Sequence, residues 1–414
     1  MSILIVCTGD GQDGPLAPAQ ADRRVMPDPR ELPAQIVDAV GRVVGDASRP
    51  IPLHVPTFDG REWDYVKECI DTGWVSSVGG YVNRFEEDLA RYTGAGHAIA
   101  VSTGTAALHV ALLMAGVEPG DEVLCPALTF VATANAVSYC GAVPHFVDVE
   151  PSTLGVDAAA VRAYAGTRFD KREGGLYNPR TGRRVAALVA MHAFGHPADL
   201  DALVALCRDL GVPLVEDAAE SLGSLYNNKH TGTFGALGVL SFNGNKIVTT
   251  GGGGAILTDD DELAARAKHL TTTGKVPHPF EYVHDIVAYN YRLPNLNAAL
   301  GCAQLEHLDA MIQRKRALAA RYAQAFETMD GVAVLHEPAG TRSNYWFTSL
   351  VLDAELAGAT RPTIQALHAE GLLVRPIWKP MHELPMYADC PRMPLSETED
   401  LAARIISLPS SAGL

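Results

Sequence analysis

The chain has 414 residues, 47% of them hydrophobic, and a formal net charge of −15 at pH 7. That length suits two or three domains with sizeable cores. The acidic balance argues against a general nucleic-acid binder, because phosphates are repelled unless a local basic patch intervenes.

No apolar run approaches the ~20 residues of a membrane span. The opening MSILIVCTGDG lacks the basic region and cleavage site of a secretory signal. Seven cysteines (Cys7, Cys69, Cys125, Cys140, Cys207, Cys302 and Cys390) include no CxxC pair, which suits reduced thiols in a cytoplasm better than a disulfide framework or a zinc site.

Residues 9–31 are rich in Gly, Pro, Asp, Ala and Arg without a period, so a flexible leader is expected over 1–30. A short amphipathic helix is expected around Ile36–Val44. Asp59 and Glu62 form an expected capping box for a helix carrying Trp63, Val66 and Ile70. Val82, Phe85, Leu89 and Tyr92 recur at helical spacing.

Strands and helices then alternate. HAIAVS (97–102) precedes a helix over 104–115, and EVLCP (122–126) precedes one over 132–139. VPHFVDV (143–149), VAALVAM (185–191) and VPLVED (212–217) follow, with a crossover helix over 199–210. Strands that read as continuous apolar runs have both faces covered, so the expectation is an α/β fold with a mostly parallel central sheet. VLSF (239–242) and GAILT (254–258) are expected neighbours in it. A single long helical pattern over 297–329 leads to a smaller α+β part with a strand at WFTSLVL (346–352) and a helix at Pro362–Glu370. The chain ends at LPSSAGL with no closing element expected. The expected organisation is a large domain over 31–300, N-terminal helix included, and a small domain over 301–414 whose last helix is missing.

Ligands of open α/β sheets gather at the carboxyl ends of the strands, and four features fall there. STGTAAL (102–108) leaves a strand and opens a helix; its small residues let backbone amides close on an anion, or simply pack. Phe130 begins the next helix, as core or as a plate over a planar ring. Asp217 ends a buried strand, where it either caps the following segment or partners a protonated ring nitrogen. Ser241 and Lys246 flank a turn before Gly251–Gly254; the lysine is a surface charge or an amine offered to a carbonyl. Taken together, phosphate loop, aromatic plate, carboxylate and lysine describe one ligand, pyridoxal 5′-phosphate. GGGG is not GxGxxG, and a strand follows it rather than a helix, so the run is read as tight backbone behind the lysine. His192 and His196 are four apart, but Gly195 and Pro197 argue against a helix, so no metal pair is expected.

EDAAESLGS (216–224), TGTFG (231–235), SFNGNK with TTGGGG (241–254) and YNYRLPNLNAALG (289–301) resemble the DegT/DnrJ/EryC1/StrS family of nucleotide-sugar aminotransferases. The likeness runs from about Ile51 to the C-terminus. WVSSVGGYVNRFE and IPLHVPTFDG look most like its LegC branch, which acts on UDP-4-keto-6-deoxy-N-acetylhexosamines.

The resemblance implies the fold type I of pyridoxal-phosphate-dependent transferases, with a seven-stranded type of central sheet. Lys246 is then the Schiff-base lysine, Asp217 the partner of the pyridine nitrogen, and Glu220 a neighbour of the ring hydroxyl. Phe130 stacks on the ring, and Gly104, Thr105, Ala106 and Ser241 hold the phosphate. Asn290 reaches the phosphate of the neighbouring subunit in a homodimer with shared active sites. His192, Trp74 and Trp378 are placed toward the sugar nucleotide, and L-glutamate is the amino donor. A dehydrating sub-branch carries histidine in place of the lysine, so Lys246 favours amino transfer. Two alternatives stay open: a non-catalytic sensor or scaffold on this fold, and a family member acting on a cyclitol.

Overall fold

The computed structural model describes residues 27–414, so most of the expected leader lies outside the described residues. Seven strands form the central path: β1 (His97–Val101), β2 (Glu122–Pro126), β3 (Val143–Val147), β4 (Arg184–Met191), β5 (Leu214–Asp217), β6 (Leu237–Ser241) and β7 (Gly254–Thr258). Their spatial order is β1-β7-β6-β5-β4-β2-β3. β7 runs antiparallel to both its neighbours, and every other pair is parallel. The inner strands are buried along almost their whole length, which is why they read as unbroken apolar runs.

The reversed direction of β7 decides where the sheet can hold a ligand. Gly254, its first residue, pairs with Ser241 at the end of β6 and with Val101 at the end of β1. Three termini therefore meet at one edge of the sheet, beside the helix Gly104–Met114 that leaves β1. The meeting is tight. A Cβ on Gly254 would lie 2.5 Å from the Thr103 carbonyl oxygen, and one on Gly104 would lie 2.8 Å from Ser241 Cβ. Here glycine is required by close approach of backbones.

The pattern over 297–329 is two helices, Asn295–Glu306 and Leu308–Phe326, broken at His307. The break has a packing cause. Ala298, Ala299 and Cys302 pack with Tyr65 and Phe85 beneath the large sheet, whereas Leu318, Tyr322 and Phe326 belong to a different core. That second core lies on a four-stranded antiparallel sheet ordered Val332–Val334, Thr348–Leu352, Ile405–Leu408, Arg375–Pro376. The C-terminal residues thus supply an inner strand where no closing element was expected.

Two further expectations are corrected. The N-terminal helix, Leu32–Val44, was expected with the large domain; Leu32, Ile36 and Val40 are buried with Leu350, Leu367 and Ile406 of the small sheet's core. Asp59 and Glu62 form no capping box. The helix Glu62–Thr72 has no side-chain cap, Asp59 pairs with Arg314, and Glu62 accepts from the Gly60 amide and from Gln304 Nε2.

Gly254→Ala should lower stability by about 1–3 kcal/mol, because overpacking against backbone has no soft neighbour to yield. Urea unfolding of the variant measures this; wild-type stability would show that the approach at Thr103 is not tight.

Candidate active site

At the meeting point of β1, β6 and β7, the helix Gly104–Met114 presents its N-terminus. Thr103 caps it, its hydroxyl accepting from the Ala106 amide at 3.0 Å. The amides of Gly104 and Thr105 belong to the first turn, whose donors have no partner within the helix. Together with the dipole they make an anion site, and Ser241 abuts it through Gly104.

The end of β5 brings Asp217 to the same cleft. It is buried, and no helix follows it to be capped. Thr133 donates its hydroxyl to Oδ2 at 2.8 Å, and the Ala219 amide donates to Oδ1 at 3.2 Å. Burial pushes the carboxyl's pKa up, opposed by these two donors and by Lys246 and His192. A carboxylate held rigidly in this way is completed by a cation.

Lys246 follows β6 in a turn closed by its own amide on the Asn243 carbonyl at 2.9 Å. Its Nζ lies 3.2 Å from Glu220 Oε1 and 3.7 Å from the centre of the Trp346 indole. The other oxygen of Glu220 accepts from the Phe194 amide at 2.9 Å. Burial raises the Glu220 pKa, and Lys246 opposes the rise. Asn344 fastens this corner. Its Nδ2 donates to the carbonyls of Glu220 and Leu222, and its Oδ1 accepts from the Trp346 amide.

These groups line one cleft of ≈ 650 Å³, a size suited to a cofactor with part of a substrate. Of the residues singled out in the sequence, it gathers Gly104, Thr105, Phe130, Asp217, Glu220, Ser241, Lys246 and Trp378. Ala106 takes part through the Thr103 cap. Anion cradle, buried carboxylate and amine are the groups pyridoxal phosphate requires, and the cradle exists only because Gly104 has no Cβ.

Three expected residues lie elsewhere. His192 does not line the cleft. It is fully buried, its Nδ1 accepting from the Ala198 amide and its Nε2 lying 3.1 Å from Glu216. Glu216 in turn accepts from the amides of Gly232, Phe234 and Gly235, so His192 serves the TGTFG loop. Trp74 is 57% exposed and borders a separate depression with Gly79, Tyr81 and Asn295. Asn290 is exposed and bridged to Thr272, outside the cleft of its own chain.

Conversely, Trp346, Thr133, Asn344, Phe194 and Arg375 were not anticipated. WFTSLVL reads as a strand throughout, yet the strand begins at Thr348. Tyr345, at φ 47°, turns the chain so that Trp346 faces Lys246. The SNY before Trp346, which is turn-forming sequence, was the available signal.

The pattern of the DegT/DnrJ/EryC1/StrS aminotransferase family matches residues 56–414. EpsN of Bacillus subtilis (strain 168), named for pyridoxal-phosphate-dependent amino transfer, is 40% identical over 370 residues, 88% of this chain and 92% of EpsN. GDP-perosamine synthase of Caulobacter vibrioides is 39% identical over 365 residues, covering 88% and 94% of the two chains. The solved structure of DesI in the presence of its TDP-sugar product superposes with a TM-score of 0.78 at 30% identity, covering 91% and 93%. The chain belongs to the DegT/DnrJ/EryC1/StrS aminotransferase family, and it is a pyridoxal-phosphate-dependent aminotransferase.

Proposed function

We propose that the chain moves the amino group of L-glutamate onto a nucleotide-linked 4-keto-6-deoxy sugar, giving a 4-amino-4,6-dideoxy sugar. The observation that carries this reading is the pairing of Lys246 with Glu220 in a cleft that also holds Asp217 and the helix start at Gly104. GDP-perosamine synthase and DesI with its TDP-sugar product support a nucleotide sugar as acceptor. The likeness of WVSSVGGYVNRFE and IPLHVPTFDG to the LegC branch favours a UDP-4-keto-6-deoxy-N-acetylhexosamine.

When bound, pyridoxal phosphate supplies an aldehyde for amine chemistry and an electron sink. In this reading the amides of Gly104 and Thr105, with the Thr103–Ala106 cap and Ser241, hold the phosphate. Phe130 covers the ring, and Glu220 stands by the ring hydroxyl. Asp217, whose rise in pKa on burial is opposed by Thr133, the Ala219 amide and Lys246, would face the ring nitrogen and hold its proton. Lys246 would be the amine offered to the aldehyde and, once displaced, the general base that holds and moves the proton of the amino donor's Cα. Trp378, which lines the cleft, would contact the sugar nucleotide, whereas Trp74 borders a separate depression.

Glutamate should bleach the visible band of the purified holoenzyme, and a panel of 4-keto nucleotide sugars should restore it, the UDP-N-acetylhexosamine form fastest. A band insensitive to glutamate, or recovery with none of the sugars, would refute this reading.

Asp217→Asn should retain cofactor while the glutamate half-reaction slows by orders of magnitude, since a neutral amide cannot hold a pyridinium proton. Stopped-flow single turnovers near the wild-type rate would exclude the assigned role.

The exposed position of Asn290 outside its own cleft supports a role in a partner's site, within a two-fold homodimer. Lys246→Ala and an inactivating Asn290 substitution should each give nearly dead homodimers. Mixed at random, they should regain about a quarter of wild-type sites, because one site of each mixed dimer has native lysine and native asparagine. No recovery, with mixed dimers demonstrated by mass, rules out sharing.

A further inference from the structure

Lys246 rests on an aromatic face that the family likeness did not bring to notice. Nζ lies 3.7 Å from the centre of the Trp346 indole, and that residue is held through both its ring and its backbone. Its Nε1 donates to the Asn245 carbonyl at 2.8 Å, and its amide donates to Asn344 Oδ1 at 2.8 Å. Its backbone carbonyl accepts from the Nζ of Lys315, whose pKa burial pushes down to about 7, at 3.1 Å, and Phe347 stacks on its ring with centroids 3.7 Å apart and planes at 22°. Lys315 also donates to the Ser410 carbonyl, which ties this corner to the C-terminal segment of the small sheet.

We propose that Trp346 is a positioning residue for amino transfer: its indole face takes the positive charge that Lys246 Nζ bears while it carries the substrate's proton. The proposal rests on Lys246 being the reacting amine. In the step concerned, the Cα–H bond of glutamate breaks and the proton goes to Nζ. The electron pair stays with the carbon and is drawn into the ring system, and the proton is then delivered to the cofactor carbon. Nζ is therefore an ammonium between the two transfers.

Glu220 can stabilise that ammonium, but it is also a base, and burial raises its affinity for the proton. A π face attracts a cation and offers no basic site. It therefore lowers the cost of the charged lysine without competing for what the lysine carries.

The charged and titratable groups facing Nζ are Glu220, Asp217 and His54, with Lys315 beyond the indole. Burial, with Lys315 and Lys246 nearby, holds the His54 imidazole well below its usual pKa and hence uncharged at neutral pH. Replacing Trp346 leaves all four in place, so a shift in Lys246 reports on the ring. The sign follows directly: the ring stabilises the ammonium, so removing it lowers the pH at which the amine becomes free.

The test uses the cofactor-free full chain. The rate at which trinitrobenzenesulfonate modifies Lys246, followed by peptide mass mapping, is measured against pH. Trp346→Leu should move the midpoint down by about one pH unit. The chain grown with 5-fluorotryptophan keeps the ring's shape while thinning its π density, so it should show a smaller downward shift even if the leucine variant does not fold. Of the other three tryptophans, Trp63 and Trp74 are mostly exposed, and Trp378, which lines the same cleft tilted at 36° to Phe194, is replaced by phenylalanine in the fluorinated chain and in its unfluorinated reference. A midpoint that stays or rises in the fluorinated protein overturns the role of Trp346. Borohydride reduction of the holoenzyme separates the two ideas: cofactor fixed on a different lysine sinks the assignment of Lys246 itself, whatever the midpoint does.

Discussion

The cleft depends on two backbones touching where side chains would hold them apart. Gly254 lies against Thr103, and Gly104 against Ser241. Because β7 is antiparallel in a sheet otherwise parallel along its path, its beginning lies level with the ends of β1 and β6. A parallel β7 would carry its glycines to the far edge of the sheet and leave the helix start at Gly104 without Ser241 beside it. Gly254 is thus what lets an antiparallel strand enter this edge of the sheet.

From this contact the chemistry is laid out along the sheet edge. Unpaired helix amides lie just past β1, Ser241 ends β6 with Lys246 in the turn beyond it, and Asp217 ends β5. The fixed spacing of the strands sets the distances between these groups. The small sheet adds a second constraint from outside: Asn344 binds the carbonyls of Glu220 and Leu222 and, through Trp346, closes the corner around the lysine. Opposed influences at Asp217 and Glu220 follow from that closure. Burial favours the neutral acids, and Lys246 favours their ions.

What could be read from the sequence follows this division. Strands buried on both faces announce themselves as apolar runs, and EVLCP and GAILT matched the structure residue for residue. Groups at strand ends were legible because the end of a strand is itself legible. Contacts made across the chain were not. Trp346 looked like one more apolar residue of a strand, and only the turn at Tyr345 frees it. The family resemblance placed His192 toward the substrate, but its ring is claimed by Glu216 on the neighbouring strand. The single long helical pattern concealed a change of packing partner at His307, because periodicity records that a face is buried and not against what.

The four tryptophans divide by environment. Trp63 and Trp74 are 75% and 57% exposed, while Trp346 is only 3% exposed and sits against Lys246. Solvent relaxation should shift emission from the first two to the red, whereas Trp346 is shielded from water and lies 3.7 Å from Lys246 Nζ. With Trp378 it lines the cleft, so the enzyme contains its own optical gauge: resonance transfer from these two indoles to a bound chromophore would report cofactor occupancy without any label.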